Sequence, residues 1–128
     1  MKKKILTEKA PGALGAYSQA IDTGDTLYIS GQLPIDVTTG ETPEALDQMA
    51  IKSLSNAKII CEEAGYDITN TVKCTMLMDD INNFKILNEG YLKFFEDEGT
   101  EILPARTAFQ AGKLPFDAKV EIDLIVTK

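Results

Sequence analysis

Histidine is absent from this 128-residue chain, and arginine occurs once, at Arg106. Without an imidazole, the Ser-His and Cys-His pairs that activate a nucleophile are excluded. Cysteine is nearly as scarce. Cys61 and Cys74 have neither CxxC spacing nor the density of a disulfide scaffold, and each falls in an apolar pattern that suits a small buried hydrophobe. A transition-metal site would have to be built from carboxylates alone, a donor set that zinc sites rarely use. Positive charge is also short: 13 Lys+Arg stand against 20 Asp+Glu, a formal charge of −7 that disfavours binding to nucleic acid, where phosphates must be neutralised. Long apolar runs are missing too. The basic start Met1-Lys2-Lys3-Lys4 is followed only by Ile5-Leu6 before Thr7-Glu8-Lys9, and no stretch of about 18 apolar residues occurs. The expectation is a cytoplasmic protein with neither membrane nor nucleic-acid partners.

What remains is an ordinary globular composition, 44% hydrophobic and 26% charged, without linker, repeat or low-complexity tract, so residues 1–128 read as one domain. Ala16 to Ile21 and Thr26 to Ser30 read as short strands around the turn Asp22-Thr23-Gly24-Asp25. A helix follows, with Thr42 as N-cap, Pro43 in its first position and Gly65 just past its end. Leu46, Met49, Ala50, Leu54, Ala57, Ile60, Cys61 and Ala64 share one face of it. Val72 to Met78 reads as a strand. Asp80 caps a second helix whose stripe is Phe84, Leu87, Asn88, Tyr91 and Phe95. In the tail, Val120, Ile122, Leu124 and Val126 alternate with Lys119, Glu121, Asp123 and Ile125, the pattern of a half-buried strand. The order ββ-α-β-α-ββ predicts an α+β fold, a mainly antiparallel sheet with two helices on one face. The other face would carry Leu77, Ile125 and Tyr28 among polar groups, which argues for cover by another subunit.

Arg106 lies in Pro104-Ala105-Arg106-Thr107-Ala108-Phe109, a strand entered through a proline. A guanidinium offers a planar fork of donors that grips a carboxylate bidentately, which lysine cannot reproduce. Strands over 105–111 and 119–127, joined by Gly112 to Ala118, are close enough for a hairpin, and antiparallel pairing about residues 113–114 would set Arg106 opposite Glu121. Such a pair serves equally as a cross-strand ion pair, contributing about 0.2–1 kcal/mol, or as a clamp beside a proton-handling carboxylate. Asn88, polar within an apolar stripe, reads first as a hydrogen-bonded structural amide and second as a ligand contact. Tyr17 follows Gly15-Ala16, and Ser30 precedes Gly31 at a strand end, where backbone can approach a ligand closely.

Four ordered motifs, Gly15-Ala16-Tyr17-Ser18-Gln19-Ala20, Ile29-Ser30-Gly31-Gln32-Leu33-Pro34, Asn88-Glu89-Gly90-Tyr91 and Pro104-Ala105-Arg106-Thr107-Ala108-Phe109-Gln110, together with Leu114-Pro115 through Val120-Glu121-Ile122, resemble the RidA family. That family is also called YjgF, or the reactive intermediate/imine deaminases, and the resemblance spans essentially the whole chain. It implies a chorismate mutase-like fold and a homotrimer whose sheets form a central barrel, with three clefts between subunits. The implied reaction is hydrolysis of 2-imino or 2-enamino acids, such as 2-iminobutanoate and 2-iminopropanoate, to 2-keto acids and ammonia. Pyridoxal-phosphate-dependent dehydratases release such intermediates, and neither metal nor bound cofactor is implied. Carried onto this chain, Arg106 would clamp the substrate carboxylate, Glu121 would activate water and Tyr17 would donate a proton. Ser30 and the Gly31 backbone would line the pocket, and Asn88 would support it. Ala108, counted with the substrate-binding residues, stands where some relatives carry Cys, so a thiol has no role there, and Lys113 replaces a residue that is small in many relatives. Two other readings are a trimer that captures small carboxylates without turnover, and a ribonuclease, which the missing histidine and the acidic charge oppose.

Overall fold

The computed structural model describes residues 2–128; Met1, which opens the basic N-terminal run, lies outside them. Six strands form one sheet: β1 (Lys3–Ile5), β2 (Ala20–Asp22), β3 (Thr26–Gln32), β4 (Thr71–Met78), β5 (Ala105–Gln110) and β6 (Val120–Thr127). Two helices, α1 (Leu46–Glu63) and α2 (Phe84–Asp97), complete the regular structure with three short 3₁₀ turns. The α+β class and the two helices stand as expected. Three details differ. A strand occurs at Lys3–Ile5, where the lysine run hid it; α1 starts at Leu46 after the extended Ala45; and the strand near residue 20 is only three residues long. Thr42 does not cap α1; a first-turn carboxylate, Asp47, accepts from the Gln48 amide at 2.9 Å instead.

The ends of both helices follow from glycine. Gly65 and Gly99 adopt positive φ, +80° and +79°. In each case the amide after the glycine bonds back to a carbonyl five residues earlier, Tyr66 to Cys61 and Thr100 to Phe95, both at 3.0 Å. The glycine amides reach Glu62 and Glu96, also at 3.0 Å, which completes a Schellman arrangement on each helix. Asp80 caps the 3₁₀ turn at Ile81–Asn83 through the Asn82 amide, and that turn runs directly into α2.

The spatial strand order is β1-β2-β3-β6-β4-β5. The predicted hairpin of the last two strands does not form. β5 pairs parallel to β4, with Arg106 beside Cys74, while β6 crosses to the other side of β4, with Glu121 beside Leu77. The reason lies in the strands' own residues. Val120, Ile122, Leu124 and Val126 are at most 1% exposed, so β6 gains most from a central place with two neighbours. β5 buries little and is the edge. The linking residues pass over the end of β4, where the Ala111 amide donates to Met78 and the Asp79 amide to Lys119.

Core side chains from β3, β4 and β6 face the helices: Leu27, Ile29, Cys74, Met76 and Met78 pack with Leu54, Ile60, Leu87 and Phe95. Tyr28, Leu77, Glu121, Asp123 and Ile125 belong to the alternating set on the face without helices. Among the described residues no helix is long and apolar enough to cross a membrane.

α1 and α2 touch at Gly90, where a Cβ would collide with the backbone carbonyl of Asp47. Backbone cannot yield as a flexible side chain does. Gly90→Ala is therefore expected to lower the unfolding free energy by about 1–3 kcal/mol, read from urea denaturation, although alanine is the better helix former.

Candidate functional site

A cavity of about 290 Å³ opens beside Glu121. Its walls come from the 11–17 segment, the end of β3 and the turn at Pro115–Phe116. Tyr17, Gly31 and Glu121, three of the residues singled out from the sequence, line it together.

The cavity exists because β3 carries a bulge. Between Ile29 and Gln32 it takes three steps while β6 takes two, from Leu124 to Ile122, so Ser30 and Gly31 oppose Asp123. Gln32 folds back so that its amide donates to the Ser30 carbonyl at 3.0 Å. A Cβ on Gly31 would stand 2.8–2.9 Å from the Glu121 side chain, so only glycine leaves that carboxylate its present place. Ser30 itself serves structure: its hydroxyl donates to the Ser18 carbonyl at 2.6 Å and its amide to Gln19 at 2.9 Å.

Gln19, which the sequence gave no reason to single out beyond its motif, holds the outer wall. Only 2% exposed, it accepts from the Thr7 amide at 2.8 Å and donates to the carbonyls of Thr7 at 3.0 Å and Pro11 at 2.9 Å. One buried amide thus replaces a secondary-structure ladder for a loop that has none. The Tyr17 hydroxyl accepts from the Leu14 amide at 3.3 Å and lies at the same opening.

Burial raises the Glu121 pKa above the ordinary carboxylate value of 4.5, with a smaller contribution from Asp123, two residues along the same strand face. Among the described residues no ion pair or side-chain hydrogen bond engages Glu121. A carboxylate in this state is suited to take and return a proton.

Phe116 and Asp117 both sit in the left-handed region, at φ 57° and 54°. Such backbone costs about 1–3 kcal/mol per non-glycine residue and persists where the surroundings fix it. An exposed ion pair from Lys113 to Asp117, at 3.3 Å, spans this turn.

Arg106 lies elsewhere. Its register partner Cys74 faces the core, whereas Glu121's partner Leu77 faces away, so the two charged groups occupy opposite sheet faces. They also sit two strand spacings apart across the sheet, roughly 10 Å, and three residues apart along it, about 10 Å more. The expected cross-strand pairing is therefore corrected. Arg106 reaches α2, where its Nη1 donates to Asn88 Oδ1 at 2.6 Å. Its guanidinium carbon lies 4.7 Å from the Tyr91 ring centre and 5.2 Å from that of Phe84. Phe84, Asn88 and Tyr91 occupy one helical stripe, so the partners were legible in spacing although their guest was not. No carboxylate pairs with Arg106 among the described residues, and its free donors remain able to grip an anion. Ala108, two residues on, packs against the core. Cys74 behind the stack is fully buried, and burial pushes its thiol up to about 12.

Residues 7–128 match the family described as Endoribonuclease L-PSP. The chain is 39% identical over 128 residues to the 2-iminobutanoate/2-iminopropanoate deaminase of Escherichia coli strain K12, covering 100% of this chain and 99% of that protein. It is likewise 39% identical over 128 residues to a RutC family protein of Haemophilus influenzae, covering 100% and 98%. The crystal structure of the E. coli YjgF gene product superposes with a TM-score of 0.94 at 39% identity over 98% of each chain. That of E. coli TdcF with bound serine does so at 0.93 and 38%, again over 98% of each.

Gly31→Ala is expected to push the Glu121 carboxylate out of its cavity. By carbon-detected NMR titration, Glu121 should titrate above the ordinary carboxylate range in the parent and move back toward it in the variant.

Proposed function

Because this chain belongs to the endoribonuclease L-PSP family, in which the YjgF/RidA proteins sit, we propose that it hydrolyses reactive 2-imino and 2-enamino acids to 2-keto acids and ammonia. The observation that carries this reading is Glu121, half-buried without a counter-ion at an apolar cavity and holding its proton more tightly than a surface carboxylate. The substrate class is supported by the named activity of the E. coli relative.

Arg106 would hold the substrate carboxylate through the donors that Asn88 leaves free, which fixes the imine carbon for attack. Since Arg106 and Glu121 occupy opposite faces of one sheet, a single chain cannot present both to one small molecule. The reading therefore requires a second copy, and a trimer with the clefts between subunits supplies three such sites. The half-apolar face carrying Tyr28, Leu77 and Ile125 supports that assembly.

In the reaction, water adds across C=N. Glu121 takes a proton as the oxygen bonds to the carbon, and the nitrogen gains one, with the Tyr17 hydroxyl as candidate donor. The carbinolamine then collapses: the C–N bond breaks, ammonia leaves with the proton returned from Glu121, the carbinolamine hydroxyl gives its proton back to Tyr17, and the 2-keto acid remains. An enamine first tautomerises to the imine by protonation at its β carbon and loss of a proton from its nitrogen. The imine is itself electrophilic, so the steps use only this chain's own groups. Pyridoxal-phosphate-dependent dehydratases would supply the substrate in a cytoplasmic setting.

A second reading, capture of small carboxylates without turnover, is favoured by the serine bound to TdcF. Ribonuclease activity, which the family's description names, finds little support in a chain of net charge −7 without histidine.

With 2-aminoacrylate generated in situ, the protein should accelerate keto-acid formation over buffer; no acceleration leaves the capture reading. Arg106→Ala should lower the rate about 100-fold or more, and Arg106→Lys should recover little, because lysine lacks the fork. Coexpressing Arg106→Ala with Glu121→Gln chains should restore about a quarter of the sites by random mixing in a trimer. Recovery of none would sink the shared site.

The pH dependence has a definite sign. Glu121 acts as a base only when ionised, and its pKa is raised, so kcat/KM should fall as pH drops through that raised value. The same shift favours the protonated folded state, and this stabilisation is lost as pH rises through the folded pKa. Glu121→Gln should therefore match or exceed the parent's thermal midpoint at neutral pH while losing turnover.

A further inference from the structure

The cavity beside Glu121 has walls of one chemical character. Apart from Glu121 and the Tyr17 hydroxyl, Leu14, Leu33, Ile35, Pro115 and Phe116 meet the space, and the two glutamine side chains at its edge, Gln19 and Gln32, are tied to backbone carbonyls. A 2-imino acid brings three parts to such a site. Its carboxylate goes to Arg106 and its C=N carbon to Glu121, so the third part, the side chain, is left to the apolar walls. An apolar cavity of about 150 Å³ is enough for a benzene ring. At about 290 Å³ this one exceeds what a methyl or ethyl substituent fills.

Phe116 sets the outer limit of that space. Its ring is 71% exposed in one chain, yet it lines the Glu121 cavity, carried there by two consecutive left-handed residues. A large aromatic side chain in water, on backbone that disfavours it, gains no packing within its own chain. A ligand substituent lying against the ring would supply that packing, beside the second copy that the proposed site requires.

We propose that Phe116 is a specificity-determining residue and that the site prefers 2-imino acids with bulky apolar side chains, branched aliphatic or aromatic, over the methyl and ethyl members of the class. The inference rests on the deaminase reading and adds the side-chain preference to it. A larger apolar group raises kcat/KM only where the walls touch it, and contacts of one or two methylenes alter discrimination about 10–200-fold. Polar or charged side chains would meet mainly apolar walls beyond Glu121 and Tyr17 and would be disfavoured.

The test uses 2-imino acids produced by an L-amino acid oxidase from alanine, leucine and phenylalanine, with the full-length protein. The parent should show kcat/KM at least about tenfold higher for the leucine- and phenylalanine-derived imines than for the alanine-derived one. Phe116→Ala should reduce that ratio about tenfold, and Phe116→Leu should restore part of it for the leucine-derived imine. Alanine at a left-handed position is itself strained, so binding provides an independent readout. Affinity of the parent for 2-keto acids should rise from pyruvate through 4-methyl-2-oxopentanoate to phenylpyruvate. A flat or falling series, or a Phe116→Ala variant that slows all three imines alike, overturns the proposal while deaminase activity stands. Failure to accelerate any imine, with Arg106→Ala indistinguishable from the parent in keto-acid binding, overturns the deaminase reading itself.

Discussion

The hydrogen-bonded insertion of β6 between β3 and β4 is the constraint on which the rest depends. A strand with four side chains almost wholly removed from water takes the centre of the sheet. Once it is there, β3 and β4 are separated and must be joined by a crossover, which lays α1 on the core face. β4 and β5 become a parallel pair, which calls for a second crossover, and α2 lies beside α1. The outward residues of β6 then include Glu121 and Asp123, held on rigid central backbone rather than on a loop. The bulge in β3 occurs where β3 runs against this same strand, and it provides the gap in which the Glu121 carboxylate sits.

Much of this was legible in the residues. The helical stripes, the stop at Gly65, the Asp80 cap and the alternation of the final strand all rest on local periodicity and local hydrogen bonding, which a sequence displays directly. Spatial strand order is different. A seven-residue link between two strands looks like a hairpin, and nothing local to residues 112–118 says that the chain instead passes over the end of a third strand. That choice was made by competition among strands for the central place, a property of the whole set. The error propagated to the site. Glu121 and Arg106 were both identified, but their pairing depended on the missed topology. Gln19 was invisible for a related reason, since a glutamine that satisfies a distant loop looks like any other glutamine. The left-handed turn at Phe116 was hidden as well, because phenylalanine is not a residue that announces positive φ.

Arg106 shows how a cation can be made ready without being neutralised. Two aromatic faces and one amide oxygen hold the guanidinium, and none of them cancels its charge. A carboxylate in place of Asn88 would have satisfied the same geometry and neutralised the charge. The close approach of α1 and α2 at Gly90 contributes here, because Asn88 and Tyr91 lie on the turn of α2 that this contact pins.

The burial of both thiols has a consequence for chemical endurance. The C=N carbon of the proposed 2-imino acids is electrophilic and can add a thiolate, so a protein that receives them would be exposed to self-modification. Cys61 and Cys74 are fully covered, and burial pushes both up to about 12, so almost no thiolate exists to react. No imidazole is present to be modified either. Under the proposed roles proton transfer would fall to a carboxylate and a phenol, hard and weakly nucleophilic groups, and electrophiles would find little at the site to damage.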